Sequence, residues 1–265
     1  MTASKPLNVV GIQTALYWEA IECNLVHFDR ILSNIYHGEQ DLVVLPEMFT
    51  TGFSMNAMKL ADHSQGLTLE WMRRQARKLN AALTGSVIIE DLGQYYNRLY
   101  FVWPEGNVEI YDKRHTFSYA GEDKVFQRGK QRIIIEYQGW KICPLICYDL
   151  RFPVWSRNNV DYDILIYVAN WPSSRIRAWD TLLQARSIEN MCYTIGVNRI
   201  GEDGNGINYP GHSVILDALG TQLSYLQNGE EGYVQATLDP ESLDGIRKRY
   251  NFLLDRDSFR PLESE

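Results

Sequence analysis

Cysteine is scarce in this chain, with four among 265 residues, at positions 23, 143, 147 and 192. That is too few for a disulfide-stapled secreted scaffold and suits a reducing, cytoplasmic setting. Positive charge is also short: 26 Lys and Arg stand against 33 Asp and Glu, for a net charge of −7. With no basic run, nucleic acid is a poor partner and an anionic membrane is disfavoured. Apolar runs such as Ile164 to Ala169 fall far short of the ~18 residues a membrane helix needs. No apolar segment with a small-residue cleavage site follows Met1. Nor does a Gly/Ser/Pro-rich linker split the chain, which points to one domain over 1–265.

What is present is an ordinary globular balance, 45% hydrophobic and 22% charged, on a chain long enough to bury a core unaided. Strand-like and helix-like stretches alternate. Leu7 to Gln13 reads as a strand and Trp18 to Tyr36 as a helix, with Ile21, Leu25, Phe28, Ile31, Leu32 and Ile35 at three- and four-residue spacing. Asp41 to Pro46 is a continuous apolar strand, and Leu69 to Leu79 a second helix. Strands are expected at 83–90, 98–103, 108–111, 132–137 and 141–146, with turns at Gly93, Pro104 to Asn107 and Gln138-Gly139. Beyond a loop over 121–129, residues 149–159 read as partly helical, 163–168 as a strand and 177–192 as a helix. Strands at 193–198, 214–217 and 233–238 follow. Asp41-Leu-Val-Val-Leu and Asp163-Ile-Leu-Ile-Tyr are faintly alike, as if two related halves faced each other. Many strands with helices outside give a layered α/β sandwich.

Three strands end abruptly in a reactive or charged group: Glu47 after Val43-Val-Leu-Pro46, Lys113 after Tyr111-Asp112, and Cys147 after Cys143-Pro-Leu-Ile146. A rigid sheet holds such groups while loops build a pocket around them. A thiol, a carboxylate and an ammonium suffice for acyl transfer from an amide, as nucleophile, proton carrier and oxyanion stabiliser. Each has a plainer reading. A cysteine in an apolar strand is usually inert packing, which is the reading kept for Cys23, Cys143 and Cys192. Lys113 alone reads as a hairpin lysine in water, and Glu122, in Gly-Glu-Asp-Lys, as a solvated loop charge. Glu47 is different, since a carboxylate directly behind an apolar run is costly without a role. A shared metal or redox site for Cys143 and Cys147 fails on geometry. Four residues on one strand span about 13 Å at ~3.3 Å each, against the roughly 7 Å a disulfide allows. His212, in Tyr209-Pro-Gly-His-Ser213, reads as a hairpin lead-in, although a Cys–His enzyme would claim it or His115. His115 would share the face of Lys113 if the strand continued. Arg186 and Glu189 sit at i, i+3 and pair on a helix face.

Taken together, the motifs resemble the nitrilase superfamily of carbon–nitrogen hydrolases. They are Pro46-Glu47, Tyr111-Asp-Lys113-Arg-His115, Gly121-Glu122, Cys147-Tyr-Asp-Leu-Arg-Phe-Pro153, Ala169-Asn-Trp-Pro172 and Ala185-Arg-Ser-Ile-Glu-Asn190. Their order and spacing cover nearly the whole chain. Within that superfamily the sequence looks most like the bacterial omega-amidases. Val154 departs from the pattern, many relatives carrying Glu there, and is taken as scaffold. The resemblance implies a four-layer αββα sandwich and a Glu47–Lys113–Cys147 triad, with Glu122 as a supporting carboxylate and the Tyr148 N–H as a second oxyanion donor. It implies no metal and no organic cofactor. It also implies at least a homodimer built on outer helices and the C-terminal segment, about 240–265, and a buried Arg186–Glu189 pair that braces the site.

The expected activity is hydrolysis of the omega-amide of a small 2-oxo dicarboxylic acid monoamide through a thioester. Its alternatives are N-carbamoyl or nitrile hydrolysis on the same triad, and a silent binding module on the same fold. The substrate's far carboxylate needs a cation. Arg175 and Arg177 lie a few residues beyond Pro172, and Phe49, Phe117 and Trp171 are placed to wall the methylene chain.

Overall fold

Apolar residues on the first strands alternate between two cores, and that alternation sets the layers. On β1 (Leu7–Gln13), Leu7 and Val9 face one cluster and Val10 and Ile12 the other. The computed structural model describes residues 5–35 and 39–259. After β1 the chain runs through α1 (Ile21–Ser33), β2 (Leu42–Val44), α2 (Ala57–Leu60), β3 (Asp62–His63), α3 (Leu67–Leu79), β4 (Ala82–Asp91), β5 (Gln94–Val102) and β6 (Val108–Asp112). It continues with β7 (Ile135–Tyr137), β8 (Trp140–Ile146), α4 (Pro153–Ser156), β9 (Ile164–Ala169), α5 (Ile176–Asn190) and β10 (Tyr193–Asn198). The last elements are β11 (Ile200–Glu202), β12 (Asn208–Pro210), β13 (Val214–Leu216), β14 (Gln222–Tyr225), β15 (Gly232–Leu238) and α6 (Pro240–Tyr250).

One sheet has the order β15-β1-β2-β4-β5-β6, with β3 against β4, and the other β14-β13-β10-β9-β8-β7. Leu42, Val44, Leu99 and Phe101 of the first sheet share a core with Trp140, Ile142 and Ile146 of the second. On the opposite face Val43, Leu83, Tyr100 and Val102 pack under Leu25, Phe28 and Leu32 of α1 and Trp71, Met72 and Ala76 of α3. Helix α5 covers β10, where a side chain on Gly196 would collide with Leu183 and Trp179. The result is the expected four-layer αββα sandwich.

The faint likeness of the two apolar strands is real. Parallel β1–β2–β4 lies at the centre of one sheet and parallel β8–β9–β10 at the centre of the other. Asp41 accepts from the Asn8 N–H at 2.8 Å, and Asp163 from the Lys141 N–H at 3.0 Å. Each aspartate thus ties the start of its strand to the neighbouring one. Beyond their far ends stand Glu47 and Asn170, which meet.

Several boundaries differ from expectation. Helix α1 starts at Ile21, because Glu19 takes a left-handed φ of 51° and its N–H bonds Thr51, turning Trp18 away. The expected end of that helix, at Tyr36, lies outside the described residues. Helix α5 stops at Asn190, where Met191 adopts φ 45°. Residues 147–151 form a 3-10 turn followed by the single turn of α4, not a longer helix. Unforeseen α6 is capped by Asp239, which accepts from the N–H groups of Glu241 and Ser242, with Pro240 at its first position. Cys23, read as core, is exposed on the outer face of α1.

Candidate active site

Two of the three strand-end groups, Glu47 and Cys147, are delivered by a backbone feature their strands alone do not supply. Beyond β2 the chain turns sharply at Met48, φ 44°, and the turn is pinned to β4 by Met48 N–H donating to Ser86 Oγ at 2.9 Å. This leaves Glu47 fully buried at the end of the run. Beyond β8, Cys147 itself has φ 42° and opens the 3-10 turn. A left-handed conformation in a non-glycine residue costs on the order of 1–3 kcal/mol and persists where surrounding structure enforces it. Here buried Asp149 enforces it. Its Oδ2 accepts from Ile146 N–H at 3.0 Å and Tyr111 O–H at 2.7 Å, and its Oδ1 from the His115 N–H at 3.0 Å. The turn that carries Cys147 is thereby tied to the segment that carries Lys113.

Lys113, 1% exposed, donates to Glu47 Oε1 at 2.8 Å and to Glu122 Oε1 and Oε2 at 2.9 and 3.0 Å. Glu122 is fully buried, not solvated, and also accepts from the Phe117 N–H. Asn97 Nδ2 donates to Glu47 Oε1 at 2.8 Å and to Glu122 Oε1 at 3.3 Å. The Asn170 backbone N–H donates to Glu47 Oε2 at 2.8 Å. Burial alone would lower the Lys113 pKa, but Glu122 and then Glu47 outweigh it and hold the ammonium charged. Burial, with Glu47 adding, lifts Glu122 above the usual carboxylate range against the pull of Lys113. The Cys147 thiol is pushed well up, by burial first and by Glu47 next, with Lys113 opposing. A resting thiol therefore keeps its proton until a base beside it takes it.

Lys113, Cys147, Tyr148 and Asn170 line a cavity of about 610 Å³. Tyr148 is the second residue of the 3-10 turn, where N–H groups lack an intrahelical acceptor. Its ring packs against Phe117 and Phe152 at 4.8 and 5.1 Å. Phe117, Trp171 and Arg175 also line the cavity. Arg175 lies over the Phe117 ring at 5.0 Å, and Arg151, not anticipated from sequence, over Trp171 at 5.0 Å. Neither guanidinium forms an ion pair among the described residues. Asp203, which shares the cavity, is already occupied by the Tyr209 hydroxyl and the N–H groups of Asn205 and Ile207.

Two expected wall and clamp residues are elsewhere. Phe49 is fully buried against Phe28 and Trp71, because the turn at Met48 swings it under α1 and α3. Arg177 is exposed on the first turn of α5 and does not line the cavity. Two positions apart on a helical turn cannot share a face, so only one of these arginines can point inward. His212 caps Asp180 at 3.0 Å outside the cavity, as the hairpin reading held. His115 lies past the end of β6, stacked on Phe152 at 3.7 Å with Nδ1 on Asp149. Arg186 is buried, pairing with Glu189 and donating to Leu150 O at 2.8 Å, so the pair is more than a solvated helix face. Cys143 is inert core, its pKa pushed up to about 12 by burial. Among the described residues no group of three or more His, Cys, Asp and Glu is placed to hold a metal ion, and no helix is long and apolar enough to cross a membrane. Asn97, Asp149 and Trp18, another cavity residue, had no sequence signal beyond their nearness to a motif or strand.

The carbon–nitrogen hydrolase family profile matches residues 8–248. Omega-amidase YafV of Yersinia enterocolitica is 45% identical over 253 residues, covering 96% of this chain and 98% of that protein. A 2-oxoglutaramate amidase of Bacillus subtilis is 34% identical over 78% of this chain and 82% of its own length. The crystal structure of XC1258 from Xanthomonas campestris, a CN-hydrolase superfamily protein with an arsenic adduct in its active site, superposes with a TM-score of 0.94. It is 40% identical, covering 97% of this chain and 99% of that one.

Proposed function

Since the chain belongs to the carbon–nitrogen hydrolase family, we propose that it is a cysteine-dependent amidase for the omega-amide of a small 2-oxo dicarboxylic acid. One observation carries the reading: a buried ammonium bonded to two carboxylates, beside a thiol on a left-handed turn that opens into a cavity. Glu47 takes the Cys147 proton as the sulfur attacks the amide carbon. Lys113 and the Tyr148 N–H receive the developing oxyanion. Protonated Glu47 gives its proton to the departing ammonia, then activates water to cleave the thioester and free the thiol. Glu122 holds Lys113 from the other side throughout. This scheme calls for no metal or organic cofactor.

The choice of substrate follows from the side chains that line the cavity. Arg175 and Arg151 present unpaired guanidinium groups, whereas the two lining carboxylates are turned to donors of the protein: Asp203 accepts from Tyr209, Asn205 and Ile207, and Glu19 from Ser54 and Asn56. A substrate ending in a carboxylate is therefore favoured over a neutral amide, and the likeness to an omega-amidase and a 2-oxoglutaramate amidase supports that choice. We also read the enzyme as a cytoplasmic homodimer or larger homo-oligomer. Ile188 on α5 and Phe252 and Leu254 beyond α6 are exposed apolar groups on the outer layer suited to that contact. Residues 260–265 of the C-terminal segment lie outside the described residues. A steady-state comparison of 2-oxoglutaramate, glutamine and an N-carbamoyl amine tests the activity. Ammonia without carbon dioxide, fastest from 2-oxoglutaramate, is expected; carbon dioxide release or turnover of the carbamoyl compound alone would overturn it.

A further inference from the structure

Asn97 is an expensive residue at its position. It is 1% exposed, at the middle of β5 opposite Ile88, and its Oδ1 has no hydrogen-bond partner in the protein. A buried carbonyl left unpaired destabilises a fold, and an apolar side chain of similar size would avoid that loss. The amide cannot turn over to help, because its oxygen would then face Glu47 and Glu122. Its value must lie in Nδ2, which reaches both carboxylates at once. The Asn97 carbonyl on the main chain also accepts from the Lys113 N–H at 3.0 Å, so one residue holds all three members of the cluster.

From this geometry we infer that Asn97 is a positioning residue that keeps Glu47 aimed and ready to accept the Cys147 proton while Glu122 stands beside it. The inference rests on the reading of Glu47 as the base. Two carboxylates sharing one ammonium repel each other, and a neutral donor that reaches both favours their charged forms. Among the described residues the charged or titratable groups that make up or face this cluster are Glu47 beyond β2, Lys113 beyond β6, Glu122 in its 3-10 turn, Cys147 beyond β8, and the Tyr209 phenol from β12. Donors to the carboxylates are Lys113, the Phe117 N–H, Asn170 and Asn97. Of these only the Asn97 amide bridges both carboxylates without bringing a charge. Without it the pair binds a proton more tightly, so the base is lost at a higher pH.

The test uses Asn97→Leu, which keeps the volume, and Asn97→Ala, which removes it, with Glu47→Gln as a reference. Both Asn97 variants are expected to lose kcat by about thirtyfold with KM within about threefold. The acid limb of the kcat/KM profile should move up by about one pH unit, the scale of a lost hydrogen bond to a charged group. Asn97→Leu should melt no lower than the parent. An unmoved acid limb in both variants, or a rate loss that tracks a fall in melting temperature, would overturn the inference. Glu47→Gln separates the two levels of the argument. If it retains turnover, the base assignment itself fails; if it is inactive while the Asn97 profiles match the parent, only the role of Asn97 fails.

Discussion

The cavity has a floor and a wall built on opposite principles. On the floor, Glu47, Lys113 and Glu122 are buried, and their bonding groups are directed at one another or at Asn97, Asn170 and Phe117. At the wall, Arg151 and Arg175 rest on the faces of Trp171 and Phe117 with no carboxylate partner. A buried network whose charged groups are all bonded is rigid and loses heavily when one member goes, which suits groups that must meet a transition state. A stacked guanidinium keeps its hydrogen-bond donors free and can move by small amounts, which suits a group that must receive differing substrates. On the function proposed above, chemistry is fixed in the floor and choice is left to the wall.

The largest break is at the floor's reactive atom. Cys147→Ala should lower turnover by about four orders of magnitude or more, as loss of a nucleophile does, with the far-ultraviolet spectrum and melting temperature preserved. Cys143→Ala should keep most activity, because that thiol, with its pKa near 12, only packs. Equal losses in the two, both folded, would dissolve the assignment of one nucleophile. Next comes Lys113→Met. It should cost about a hundredfold in the acylation rate constant, measured in single turnovers, as removal of an oxyanion donor does. Unchanged acylation there would leave the ammonium a purely structural counter-charge.

The floor and the wall were each only partly legible in the sequence, for a physical reason: Phe117, Trp171 and Arg175 line the cavity as expected and Phe49 and Arg177 do not. Glu47 and Cys147 each follow a run of apolar residues, so the position of the reactive group past the strand end can be read directly, whereas Lys113 follows the mixed strand Val108-Glu-Ile-Tyr-Asp112 and stood out only through the resemblance. The layers follow likewise from Leu7 and Val9 facing one way and Val10 and Ile12 the other. What decides the wall is turn geometry. Left-handed residues at Met48 and Glu19 sent Phe49 into the core and freed Trp18 for the cavity. Neither residue is Gly or Asn, the usual signals of that conformation. Asn97 sits within β5 between Tyr96 and Arg98, where nothing in the sequence marks it, and the two carboxylates it joins are 50 and 25 positions away. Cys23 misled because a cysteine has no polarity pattern to mark an exposed face.

The smallest effect sharpens the wall. Arg175 faces the cavity and Arg177 does not, so the pair is an internal control two residues apart. If Arg175 receives the far carboxylate of 2-oxoglutaramate, Arg175→Met removes a charge-assisted hydrogen bond worth about 1.5–3 kcal/mol when desolvated. Arg175 is only half-buried, so the lower end applies, and KM should rise about tenfold. kcat should change little, because the carboxylate is bound equally before and during reaction. A neutral primary amide of similar length should show no change, and Arg177→Met should match the parent on both substrates. Arg151, whose guanidinium stands over Trp171, can take part of the load; a double Arg151→Met, Arg175→Met variant should then exceed either single one. If the neutral amide suffers as much as the anion, the arginines shape the wall without reading charge, and the floor's chemistry is untouched by that outcome.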